Sequence, residues 1–326
     1  MKSKSIKIFL NYILGPLVFI WLSVSVYHQL AAQPDLSSKL NRLKGILEND
    51  QAWKVWVVIL LVLVNWGLEA WKWQLLMKPL EGLSFCKAFK ATLSGVAFAL
   101  NTPNRIGEYG GRVLYLQEGN RLKAVSLTIV GSFSQLLITI FAGTIGMWLM
   151  KGHLQVDTLP MFTLWYDYFL LIFLAIFLIC LLLYFKIGII FSRLILRMKE
   201  GRWSRLLSSL KDLSAHLLLS ILLISLFRFV VFIIQYNLLL QAFEVNIGWW
   251  DGIWLVSILF FWLAIGPTIT LMELGLRWEY SILLFGTISD NAIGVYTAAT
   301  SIWLLNLVLP AMLGSLSILS IKKMTN

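Results

Sequence analysis

Between two apolar stretches, residues 101–112 read NTPNRIGEYGGR, a run carrying Arg105, Glu108 and Arg112 beside Pro103, Gly107, Gly110 and Gly111. Hydrocarbon offers no water to unpaired backbone groups. Irregular backbone at membrane depth therefore survives only where protein buries it or where it lines a watery cavity. A chain holding such a run is not a plain bundle of straight spans. The pattern returns 165 residues later as GPTITLMELGLR, residues 266–277. Both copies have a proline and then Glu-x-Gly-x-Arg: Glu108, Gly110 and Arg112 in the first, Glu273, Gly275 and Arg277 in the second, which opens on Gly266 and Pro267.

The rest of the chain supplies the hydrocarbon context. It is 59% hydrophobic and 13% charged, against about 25% charged in soluble proteins, so the expected fold is an all-α polytopic membrane protein. A net charge of +11 in such a chain reflects basic cytoplasmic loops facing anionic lipid, and no nucleic-acid partner is expected. Cys86 and Cys180 lie in or beside apolar segments, and His28, His153 and His216 are isolated from them and from one another. Neither a disulfide framework, a metal site nor a cofactor is expected.

Crossing hydrocarbon takes about 20 helical residues. Six segments reach that length, starting with an apolar run from about residue 8 to Tyr27 and continuing at 53–77, 122–150, 165–185, 213–243 and 291–321. The first of these resembles a signal peptide with cleavage near Ala31 or Ala32, but its apolar core is long for that role, and a retained helix is the expectation. Within 28–52, Leu36, Leu40, Leu43 and Leu47 make a helical stripe suited to an interfacial helix. Segments 86–120 and 252–289 are each broken by a motif into short halves, as in a re-entrant helix pair. With both termini cytoplasmic, 17 Lys and Arg fall inside and 5 outside, in keeping with the positive-inside rule. Residues 186–212 then form a basic cytoplasmic linker, with no separate soluble domain in 1–326. Helix, broken pair, helix over 53–150 is repeated upside down over 213–321, an inverted-topology repeat of the kind that holds transport sites at the repeat interface.

Glu108 with Arg112 and Glu273 with Arg277 have the spacing of ordinary i,i+4 ion pairs, acid before base. At membrane depth the same charges are costly and usually face a pathway or a partner. Arg105 has no acid of its own in that pattern and suits either a phosphate or carboxylate ligand or a guanidinium snorkelling to the headgroups. Arg228 sits fifteen residues from either end of its segment and needs an acidic partner or a wet pocket, with Glu69 of the opposite repeat as candidate. Lys72, one turn from Glu69, is expected to snorkel.

With both motifs in view, the chain resembles the flippase-like transmembrane family named after the lysylphosphatidylglycerol synthase transmembrane region, from about residue 8 to 318. The most specific part is Pro103-Asn-Arg-Ile-Gly107-Glu108-Tyr-Gly-Gly-Arg112; Arg228 followed by Gln235 is similar to the family's arginine and glutamine in the corresponding helix. The second motif departs, with Gly266-Pro-Thr-Ile-Thr where the family usually has a glycine-rich proline loop. The resemblance implies translocation of a phospholipid or isoprenoid lipid between leaflets of a bacterial inner membrane, without the soluble aminoacyl-transfer domain of the fused synthases. On this reading Arg105, Arg112 and Arg277 bind a headgroup, Glu108 and Glu273 hold the arginines when the site is empty, and the chain is not an enzyme. The alternatives are an intramembrane lipid-modifying enzyme using Glu108 or Glu273 as acid or base, and a non-catalytic partner of a lipid glycosyltransferase. No Walker, G-x-S-x-G or H-E-x-x-H motif supports catalysis.

Overall fold

The structure, a computed structural model, describes residue 24 and residues 51–100, 102, 105–152, 160–197, 201–266 and 270–319. The described residues form helices and turns, with no strand among them. Helix α1 (Ala52–Met77) ends two residues before Pro79, which has no N–H with which to extend it. Helix α2 (Phe85–Ala99) starts at Ser84, whose hydroxyl accepts from the Lys87 amide at 3.4 Å. Arg105 has a left-handed φ of 58°. The chain then returns antiparallel to α2 as the short helix α3 (Gly107–Val113).

Two glycines one turn apart allow that return. Gly107 lies on the Phe98 backbone, and a Cβ on Gly111 would come within 2.6 Å of the Ser94 carbonyl. Small residues at this spacing let membrane helices approach to backbone contact. Gly110, between them, faces open space and plays no part in the contact.

The chain continues as α4 (Arg121–Leu149) and α5 (Pro160–Phe185), then α6 (Ile187–Ile195) and α7 (Arg202–Leu207). The segment read as a linker, 186–212, is therefore largely helical and docks on the start of α4. Ser126 Oγ donates to the Leu206 carbonyl at 2.6 Å, and Ser209 Oγ to the Lys123 carbonyl at 3.1 Å. Helix α8 (Ala215–Ala242) is capped by Ser214. The second broken pair is α9 (Trp249–Ile265) and α10 (Thr270–Phe285). The last long helix is α11 (Ala292–Trp303) joined to α12 (Leu309–Leu319) through a π-helical turn, Leu304–Val308.

Among the described residues, five helical stretches are long and apolar enough to cross a bilayer: Ala52–Met77, Glu118–Leu149, Trp165–Phe185, Ala215–Ala242 and Ala292–Ile318. They match five of the six expected spans. The sixth, near 8–27, lies outside the described residues except for residue 24, and the stripe of 36–47, Pro103 and Pro267 lie outside them altogether. Helix α9 is apolar but, at 17 residues, shorter than a span.

Helices α1 and α8 run antiparallel through the centre, joined where Gln235 donates to the Val58 carbonyl at 3.2 Å. Around them the broken pairs exchange neighbours. Helix α2 lies along α12, with Gly314 on the Leu93 backbone, while α9 lies along α4, with Gly143 and Gly146 on Phe261 and Trp254. Helix α5 sits at the edge, its Trp165, Phe169, Ile172 and Leu182 faces exposed.

Candidate polar cavity between the two halves

Helix α1 projects Asn65, Glu69 and Lys72 on one face, by their spacing of four and three residues. All three are buried. The Glu69 carboxylate gathers three cations: Lys72 Nζ at 2.8 Å, Arg112 Nη2 at 2.8 Å, and Arg228 Nη1 from α8. A carboxylate here without cations, or a cation without a carboxylate, would be expensive, so each ion depends on the others.

Around that centre neutral groups complete the coordination. Arg228 Nε donates to Asn65 Oδ1 at 3.0 Å, and Asn65 Nδ2 in turn to Asn306 Oδ1 at 3.3 Å. Asn306 belongs to the π-helical turn, a local widening often found at functional positions. Lys72 also donates to the Gly131 carbonyl at 3.3 Å. It is 2% exposed and does not snorkel: its partners lie inside the bundle, so reaching the interface would abandon them.

Both motif ion pairs form. Arg112 donates to Glu108, and Arg277 Nη2 donates to Glu273 Oε1 at 3.0 Å. Their settings differ. Arg112 is 2% exposed, is shared between Glu108 and Glu69, and lies behind them. Arg277 lines a cavity of about 470 Å³, with its guanidinium 5.9 Å from the Phe260 ring centre. Arg105 also lines it; its side chain is 41% exposed and its Nε stands 4.0 Å from Glu108.

The cavity draws on both halves: Trp66, Glu69, Lys72, Arg105 and Glu108 from the first, Arg228, Phe260, Gly266, Glu273 and Arg277 from the second. Charges share the wall with apolar rings, an environment suited to an amphiphile. Of the headgroup ligands expected from the sequence, Arg105 and Arg277 are on the wall. Arg112 is not, because packing α3 against α2 turns it toward Glu69 of α1 and leaves it under that carboxylate. Gly107 serves the α2–α3 contact, Gly266 ends α9 at the wall, and Gly110 and Gly275 have nothing within 4 Å of a Cβ position. The sequence reading missed Asn65, Gln135 and Asn306. Their signal was an amide inside an otherwise apolar span.

The family model described as the lysylphosphatidylglycerol synthase TM region matches residues 8–202. The match takes in the first motif and ends before the second. No curated protein matches the chain.

Proposed function

Because the chain belongs to the family of the lysylphosphatidylglycerol synthase TM region, we propose that this multi-pass membrane protein moves a lipid between the leaflets of a bacterial inner membrane, with both termini cytoplasmic. The observation that carries the reading is the charged cavity between the halves, with Arg105 beside one broken pair and Arg277 in the other. Charged groups inside a membrane protein mark substrate paths more often than plain packing. The lipid in the family's name is not carried over to this chain.

The exchanged seating of α2 on α12 and α9 on α4 supports treating the halves as an inverted repeat with two re-entrant pairs. Opposed pairs would open the cavity to one leaflet and then the other. The headgroup would travel along Arg105, Arg228 and Arg277 while its chains stay in hydrocarbon. Each wall carboxylate is already held by a cation, which leaves none poised as acid or base and favours transport over a lipid-modifying enzyme.

The test is a proteoliposome assay in which a quencher outside reports how fast a fluorescent phospholipid leaves the inner leaflet. Arg277→Ala and Arg105→Ala should reduce the rate to that of protein-free liposomes while the protein stays folded. Wild-type rates in both variants would refute the proposal. Arg112→Ala is a poorer probe, because it leaves the buried Glu69 and the partly buried Glu108 each short of a cation.

A further inference from the structure

Among the described residues, the cavity has unused donors and no unused carboxylate. Buried N–H groups with no acceptor among the described residues include Arg105 Nε, Arg277 Nε and the indoles of Trp66 and Trp303, all on residues that line the cavity. Arg277 is 8% exposed, Trp66 5% and Trp303 2%, so bulk water has little access to these three side chains, while that of Arg105 is 41% exposed. Buried donors are nearly always paired in a functioning protein, and these lack a partner among the described residues. The acids, by contrast, are spoken for: Glu69 by Lys72, Arg112 and Arg228, Glu108 by Arg112, and Glu273 by Arg277.

Charge points the same way. Among the described residues, four cations (Lys72, Arg105, Arg228, Arg277) and three carboxylates (Glu69, Glu108, Glu273) line the cavity. Arg112, directly behind Glu69 and Glu108, brings the excess to two positive charges. An ammonium entering this space would meet that excess and find no free carboxylate. A terminal phosphate, carrying about 1.5 to 2 negative charges at pH 7 and several acceptor oxygens, would neutralise the excess and accept from the guanidinium groups of Arg105 and Arg277, which line the cavity. Planar guanidinium groups suit phosphate oxygens in particular.

We propose that the cavity selects a lipid with a terminal phosphate and disfavours headgroups bearing an ammonium. The proposal rests on the translocase reading for its lipid, while the anion site itself does not depend on transport. Arg277 and Arg105 contact the phosphate. Glu273 competes with it for Arg277, so loading exchanges one acceptor for another at the same guanidinium.

The test is binding to the full chain in detergent, read by native mass spectrometry with four probes: dioctanoyl phosphatidic acid, dioctanoyl phosphatidylglycerol, its lysylated ester, and inorganic phosphate. Phosphatidic acid should bind tightest, the phosphodiester weaker, and the lysylated ester weakest of the lipids. Arg277→Gln should weaken phosphatidic acid about tenfold or more. Glu273→Gln should tighten it, a gain that misfolding cannot produce. The proposal is overturned if the lysylated ester or the phosphodiester binds as tightly as phosphatidic acid, if no lipid binds, or if Glu273→Gln fails to tighten it. Inorganic phosphate binding as well as phosphatidic acid would make this a site for a free anion and remove the lipid from the assignment. The predicted ranking without any translocation in liposomes would refute the proposed function and leave the phosphate site standing.

Discussion

Replacing Glu69 by glutamine keeps the shape of the side chain and removes its charge. Three cations then lose their common partner, and they are not equally provided for. Arg112 keeps Glu108, and Arg228 keeps Asn65 at 3.0 Å and Gln135 at 3.4 Å. Lys72 keeps only the neutral Gly131 carbonyl at 3.3 Å and Ser225 Oγ at 3.5 Å. Breaking one buried pair by removing a partner costs about 3–5 kcal/mol, a large part of the ~5–15 kcal/mol that holds a typical domain folded. At about 2–4 °C per kcal/mol for larger domains, Glu69→Gln should lower Tm by roughly 6–20 °C. Thermal unfolding in detergent, followed by tryptophan fluorescence, measures this. Adding Lys72→Met removes the ammonium with the poorest alternatives and should restore about 1–3 kcal/mol, the scale of coupling between contacting residues. The reasoning fails if Glu69→Gln unfolds within about 2 °C of wild type. It fails equally if the second substitution makes matters worse, since Glu69 would then not be what Lys72 depends on.

Adjacent glycines of the first motif should respond in opposite directions. Gly110→Ala meets open space and should raise stability by about 0.5–1 kcal/mol through helix propensity. Gly111→Ala drives a Cβ to 2.8 Å from Gly95 Cα and 2.6 Å from the Ser94 carbonyl and should lower Tm; equal Tm values for the two would contradict the hairpin packing. Gly275→Ala, also unobstructed, should leave the unfolding temperature of the protein at or slightly above wild type. Tyr115→Phe removes bonds from the hydroxyl to Ser94 at 2.9 Å and to the Ser317 carbonyl at 3.1 Å. It should cost about 1 kcal/mol, read by the same melting experiment.

The long helices were legible because apolar length admits few other structures. Meeting of Glu69 with Arg228 was legible too: an arginine midway along an apolar helix has few acidic residues to choose from. Lys72 was misjudged because sequence gives its distance from a helix end but not what covers it. Its place is set by Gly131 on α4 and Ser225 on α8, two polar neighbours from distant parts of the chain. The second partner of Arg112 was hidden for the same reason, since Glu69 reaches it only after α3 has docked. Spacing alone also could not tell which of Gly107, Gly110 and Gly111 faces α2. Asn65 and Asn306 were visible as amides in apolar spans, but a pairing across 241 residues depends on the π-helical turn, which no simple periodicity announces.

The exchanged seating of the broken pairs also sets an order of assembly. Ser94 on α2 meets Gly314 on the last helix, 220 residues further along the chain. At about 5–20 residues per second of synthesis, that interval is roughly 10–45 s. During it the α2–α3 hairpin can close on itself, through Ser94 and Tyr115, but the face that receives α12 meets lipid. Final closure therefore waits for the synthesis of α12, and a chain stopped short of α12 presents an open hairpin to the proteases and chaperones that survey the membrane.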